Sequence, residues 1–302
     1  MGEFKRDTTL ELINKLKQEP LFKDKILPDI KKGKVFLTIR NNKIDFYHYN
    51  SRLFEYDGEF KTHPKFAFVP AKYPKRYVTD GKQVGEIADF YAGYDNIKER
   101  AKLYTSVEAE GVFGICKKGN IFTTLKGNEC IVLDIEIAFT KNNEEEEEIK
   151  GTIEQLNENT KSQNRVDILL YNVKEQELLF IEAKHFTNND IRVGETPAVV
   201  NQIERYNKII QNNYDIILQE YSNHIQALNN IFKEELKTEL PEPKTLCREC
   251  GLIIFGFDND QKNGYLESNI KSKLEDTGIK EYTIGDASKI NIGKLYNSEK
   301  KV

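Results

Sequence analysis

Asn164–Phe186 reads NRVDILLYNVKEQELLFIEAKHF: two runs of strand-forming residues interrupted by charges that strand propensity does not explain. Val166–Tyr171 and Leu178–Ala183 flank a polar VKEQ connection too short for a helix. They predict an antiparallel hairpin centred between Lys174 and Glu175. Folding about that centre sets Asp167 directly across from Glu182. Like charges facing each other destabilise a ladder by ~0.2–1 kcal/mol, so something must compensate, and a divalent cation is the simplest candidate.

The period of two in a strand puts Lys184 on the Glu182 face, with Ile181 and Ala183 on the other. Oxygen ligands of this kind suit Mg2+ or Mn2+, ions that polarise a phosphoryl oxygen and lower the pKa of a bound water. Lys184 could then orient or help deprotonate that water, or stabilise charge developing on a phosphate. The bland alternative is a hairpin edge carrying gatekeeper charges. Downstream of Gly194 and Pro197 a helical pattern begins near Ala198, and its spacing of four puts Gln202 and Tyr206 on one face. By itself that pattern is also an amphipathic helix in which Tyr206 packs with Ile203, Ile209 and Ile210. Upstream, ECIVLDIEIAFT, 129–140, predicts an apolar strand broken by Asp134 and Glu136 on one face.

Asp167 after Val166, followed by Glu182-Ala183-Lys184, resembles the PD-(D/E)xK phosphodiesterase superfamily, with Val166 where the usual proline stands. Gln202 and Tyr206 are similar to the QxxxY of its exonuclease-like branch. The resemblance covers residues 129–210 and extends weakly to 260. It implies an α/β (α+β) fold, a restriction-endonuclease-like mixed central sheet flanked by helices, with the 129–140 strand as its first. It also implies a metal-dependent nuclease hydrolysing DNA, in a role such as restriction, phage defence or repair. Asp167, Glu182, Lys184, Gln202 and Tyr206 would carry catalysis, and Asp167, Glu182 and Glu136 would hold Mg2+ or Mn2+. Asp134 is the runner-up to Glu136, and an exposed edge face would account for both. A preceding helix often adds an acidic residue in this superfamily, and Glu99, Glu108 and Glu110 are the candidates. DNA is the implied partner, with a homo-oligomer or an activating protein also open. The alternative is a nuclease-fold protein that binds nucleic acid or a protein without cutting.

The 302 residues can bury a large core, and the patterning divides them into an N-terminal helix plus β-meander region, 1–83, and a nuclease-like domain, 84–302. A formal charge of −4 gives no global basic field, so contacts to nucleic acid would have to be local. Lys72, Lys75, Arg76 and Lys82 lie in a proline-containing loop that could touch phosphates or simply be solvated. Apolar positions predict a helix over 8–18, then strands in VFLTIR, KIDFYHY, SRLFEYDG, EFKTH and KFAFV, with Asn41-Asn42 as a hairpin turn. The aromatic density of that meander is either a packed face or a surface that grips substrate. Residues 84–118 predict helices with Ile87, Phe90, Tyr91, Ile97, Ala101, Tyr104 and Val107 inside.

The acidic run between 141 and 164 reads as a solvated connection. A long amphipathic pattern continues to Phe232 with a joint at Asn212-Asn213, and LIIFGFDND, 252–260, predicts a buried strand. The charged N-terminus has no apolar signal region and no run is long enough to span a membrane, which predicts a cytoplasmic protein. Cys247 and Cys250 have the spacing of a zinc half-site that only Cys116 and Cys130 could complete, and free thiols fit the pattern better.

Overall fold

The computed structural model describes residues 4–67, 78–79, 89–124, 129–139 and 165–300. The expectations for Lys72, Lys75, Arg76, Lys82, Ile87, the acidic connection and a domain boundary at 83 and 84 lie outside the described residues. Thr9 caps α1 (Leu10–Gln18) by accepting from the Leu12 N–H, and Leu12, Ile13 and Leu16 turn inward. A π-helical turn, Phe22–Ile26, leads into α2 (Leu27–Lys31).

The first sheet follows as an antiparallel meander of β1 (Phe36–Arg40), β2 (Lys43–His48), β3 (Ser51–Tyr56), β4 (Phe60–Thr62) and β5 (Val78–Thr79). Asn41 and Asn42 both take positive φ in the β1–β2 turn, as that pair favours. Lys65–Ala67 form a turn and not a strand, because the Phe66 N–H bonds back to the His63 carbonyl at 2.9 Å, and the rest of KFAFV lies outside the described residues. Phe46, Tyr47, Phe54 and Tyr56 are buried and Tyr49 is half-buried on Phe113, so this aromatic set is mainly core and not a gripping surface.

Asp89 caps α3 (Phe90–Lys102), Ser106 caps α4 (Val107–Lys118), and a short α5 (Ile121–Thr124) follows. The expected buried set is corrected at Tyr91, Tyr104 and Val107, which are exposed. The helix breaks at 103–106, so the stripe Phe90, Tyr94, Ile97 and Ala101 ends there and the phase restarts at α4.

The second sheet is mixed. β6 (Cys130–Ala138), β7 (Arg165–Asn172) and β8 (Glu177–His185) form an antiparallel meander. After α6 (Asn189–Arg192), α7 (Ala198–Asn212) and α8 (Tyr214–Ile231), the chain returns as β9 (Thr245–Leu246) and β10 (Gly251–Phe255), both parallel to β8. β11 (Glu281–Ile284) adds in parallel to β10, and α9 (Ile292–Lys300) closes the described chain. The strand order is β11-β10-β8-β7-β6, with β9 also beside β8.

Strand alternation sorts the core into two layers. Leu178, Phe180, Leu252 and Ile254 pack with α7 and α8 in a cluster that runs on through α1, α3 and the first sheet. Leu179, Ile181, Ala183, Ile253 and Phe255 pack with α4 and α9 on the other face. No disulfide joins the four cysteines, and Cys247 and Cys250 border opposite layers. No helix among the described residues is long and apolar enough to cross a membrane.

Candidate active site

β7 and β8 pair from Ile168 with Ile181 to Asn172 with Glu177, and the next step of that register sets Asp167 across from Glu182. The ladder stops there because the Asp167 Oδ2 itself accepts the Ala183 N–H at 2.8 Å. Glu182 and Lys184 share the face of Leu178 and Phe180, towards α7. Lys184 Nζ lies 2.8 Å from Glu182 Oε1 and 3.4 Å from Asp190 Oδ2 on α6. Gln202 Nε2 donates to the same Glu182 oxygen at 2.7 Å and to the Tyr206 hydroxyl at 2.7 Å. Tyr206 in turn donates to the Arg165 carbonyl at the start of β7. The i, i+4 pair therefore fixes the carboxylate directly, not the lysine that follows it.

Glu182 is 1 % exposed and Lys184 5 %, whereas Asp167 keeps part of its surface in solvent. Burial pushes the Glu182 carboxyl up to about 7 although the Lys184 ammonium draws it back. Asp167 is driven well above the usual carboxylate range by the surrounding protein and by the Glu182 charge. Burial also works against the Lys184 charge, but Glu182 and Asp167 outweigh it and hold the ammonium above its ordinary range. Glu182 Oε2 is buried and has no hydrogen-bond partner.

Other acidic residues take distinct places. Glu108, in the first turn of α4, accepts from the His185 N–H at 3.0 Å and from Asn188 Nδ2 at 2.7 Å, so of the helical candidates it is the one at the site. α4 can come this close because a Cβ at Gly111 would lie 2.0 Å from the Phe255 ring. Asp190 was missed by sequence reasoning; its signal is the cap Asn188, which accepts the Asp190 N–H just after the strand.

Glu136 stands across from Asp167, since Ile135 pairs with Ile168 and Ile137 with Val166. Its own carboxylate meets Asn50 and Arg165, and its φ is +50°. Among the described residues no group of three or more His, Cys, Asp or Glu side chains is arranged to hold a metal ion. The expected trio of Asp167, Glu182 and Glu136 is thus a row across three strands and not a closed cage.

Asp134 has another task, and it does not share the surroundings of Glu136 because the register shifts beside it. It is buried with Arg6 Nε at 3.0 Å, Arg40 Nη2 at 3.0 Å and the Tyr221 hydroxyl at 2.9 Å. Burial opposes its charge, but Arg40 and Arg6 hold the carboxyl below the usual range.

No family model matches the chain, and no curated protein matches it. Among solved structures it is similar to Pyrococcus furiosus SfsA in complex with Ca2+, with 12 % identity over 83 % of this chain and 82 % of that one. The TM-score is 0.20, a superposition too loose to carry a fold assignment.

Proposed function

We propose that the chain is a metal-dependent nuclease that hydrolyses phosphodiester bonds in DNA, with Asp167 and Glu182 holding Mg2+ or Mn2+. The observation that carries this is Glu182: one buried oxygen is shared by Lys184 and Gln202, and the other, Oε2, accepts nothing. An unsatisfied buried charged group costs more than the ~1–3 kcal/mol of a neutral one, and an opposed carboxylate adds to it. A divalent cation answers both. Mg2+ keeps several of its waters and is usually held by one or two carboxylates, so a two-carboxylate site suits it without a third protein ligand. Glu136 lies opposite Asp167 on the next strand with its carboxylate on Asn50 and Arg165, so it would have to leave them to join the ion.

When bound, the ion would supply Lewis-acid polarisation of a phosphoryl oxygen and a water acidified towards neutral pH. Lys184 stays charged, so its part is to donate to a phosphate oxygen as negative charge builds there, not to take a proton. Glu182 and Asp190 hold that ammonium in place. Gln202 locks the Glu182 rotamer, and Tyr206 locks Gln202 against the β7 backbone. The sheet supports the resemblance to the PD-(D/E)xK superfamily, because a three-strand antiparallel meander, a helix and a strand parallel to the third follow in the expected order. A place in restriction, phage defence or repair rests on analogy with that fold.

Linear and circular DNA, single- and double-stranded, should be cut by the full chain in Mg2+ or Mn2+, and Lys184→Ala should abolish the cutting. Calorimetric titration with Mn2+ should show binding that Asp167→Ala removes. No metal affinity in the wild type would sink the proposal. A second reading, a DNA- or protein-binding nuclease fold that does not cut, is favoured by the deep burial of Glu182 and Lys184. It predicts metal binding or DNA binding without cleavage of any of these substrates.

A further inference from the structure

Leu103, Tyr104 and Val107 are 78 %, 55 % and 63 % exposed, three large apolar side chains within five residues of the α3–α4 connection. Phe66 meets the Tyr104 ring edge-on at 6.0 Å between ring centres, yet all three side chains keep most of their surface in solvent, and clustered exposed apolar groups mark an interaction surface. Cations interleave with rings here: Lys65 Nζ lies 4.5 Å from the Tyr104 ring centre and Lys102 Nζ 5.3 Å from that of Tyr49. Tyr49 stacks on Phe113 at 4.5 Å between ring centres, and it holds a positive φ of 48° that a tyrosine takes only under constraint.

Two links tie this connection to the site. Thr105 Oγ1 donates to the Tyr49 carbonyl at 3.4 Å, and the next residue, Asn50, donates to Glu136 opposite Asp167. On the other side Glu108 accepts the His185 N–H, one residue beyond Lys184. Tyr104 stands four residues from Glu108, at most ~14 Å along an extended chain.

We propose that the α3–α4 connection is where a single strand of nucleic acid docks, with Tyr104 stacking an unpaired base while Lys65 and Lys102 meet the phosphates on either side. The proposal rests on the nuclease reading for its direction towards Asp167 and Glu182. A polyanion is favoured over a protein because the exposed Tyr104 ring stands between two ammonium groups, Lys65 at its face and Lys102 two residues before it. A single strand is favoured over a duplex because an aromatic face binds a base face, and in a duplex those faces are covered by their neighbours.

The test is fluorescence anisotropy of the full chain with a labelled oligonucleotide in EDTA, as a single strand and as a blunt duplex. Tyr104→Ala should weaken single-strand binding about 5- to 150-fold, the range of one stacked base, while Tyr104→Phe stays within about twofold. Lys65→Ala should reduce the slope of log affinity against log salt by about 0.7. Duplex affinity should be unchanged by Tyr104→Ala, as should hydrolysis of bis(p-nitrophenyl) phosphate, which has no base to stack. Unchanged single-strand affinity in Tyr104→Ala overturns the proposal, and cleavage of that small diester would then still leave the nuclease reading standing. An equal loss on the duplex also overturns it, as does a dimer in solution that Leu103→Ser dissolves, which would assign the patch to a second copy of the chain.

Discussion

Glu182→Gln should make the metal-free protein more stable near pH 8 and inactive. Burial displaces the Glu182 carboxyl from 4.5 to about 7, which at ~1.4 kcal/mol per pH unit converts to about 3 kcal/mol. The folded pKa lies above the unfolded one, so the folded chain holds the proton longer. Its contribution is complete below the ordinary glutamate range and is lost as the pH rises through about 7. Asp167 is raised too and acts in the same direction. Lys184 is raised above its ordinary range, so its contribution is lost only in strong alkali, outside this window.

His185 is lowered and acts oppositely near pH 6, but it is common to both proteins and cancels in their difference. In the variant the new side-chain amide can still accept from Gln202, and Lys184 keeps Asp190 at 3.4 Å. Urea unfolding in EDTA near pH 5 and near pH 8 measures the effect, provided the m-values agree. The wild type should lose up to about 3 kcal/mol more than the variant between the two pH values. Excess Mg2+ should restore that loss in the wild type only, because a ligand of the folded state stabilises it by mass action. Equal pH responses in the two proteins would refute the idea that Glu182 is a strained, proton-holding carboxylate.

Asp134→Ala leaves the buried Arg6 charge without its acid while Arg40 keeps Asp45 at 3.9 Å, so it should cost ~3–5 kcal/mol in urea unfolding and leave Mn2+ affinity unaltered under native conditions. Tyr206→Phe removes one donor and one acceptor between Gln202 and the Arg165 carbonyl. It should cost about 1–2 kcal/mol of stability and lower kcat while calorimetry still shows a Mn2+ site. Gly256 has a φ of +86°, and a Cβ there would fall 2.1 Å from His185 Nε2. Gly256→Ala should lower the Tm through both effects, and adding His185→Ala should recover the clash but not the ~1–2 kcal/mol of backbone strain.

The hairpin was legible because three independent signals agree on it: a polar connection too short for a helix, a period of two on both sides, and charges at matching distance from the centre. The register of Ile168 with Ile181 is the one that centre demands. The same held for Asn41-Asn42 and for the helix bearing Gln202 and Tyr206, where local chemistry decides. What stayed hidden depends on distant partners. Asp134 and Glu136 look equivalent at i and i+2, but a shifted register after Val132 and the positive φ of Glu136 separate them. Arg6, which claims Asp134, comes from 128 residues away. β11 left no apolar signal because its four residues are all half-buried at a sheet edge, whereas β10 is buried throughout. Tyr104 and Val107 continued an apolar helical rhythm on paper, and only the break before Ser106 puts them in water.

Asp167, Glu182 and Glu136 form a row across β7, β8 and β6, with Asp190 and Glu108 beside it, while Lys184 and Arg165 are the cations in contact. Folding could relieve such an excess of negative charge in two ways. A proton can be held, the direction in which burial raises the carboxyls of Asp167 and Glu182, but it satisfies one oxygen and is lost from Glu182 as the pH climbs past about 7. A divalent cation relieves both carboxylates at once and does so better as the pH rises, because it competes with those protons. A core built only for stability would do better with apolar residues at these positions, since replacing buried ion pairs by packed hydrophobes is often neutral or stabilising by ~1–4 kcal/mol. Strained charge kept next to a locked lysine, with one carboxylate oxygen left unfilled, is what a site needs if it is to exchange protons for a cation at the moment of use.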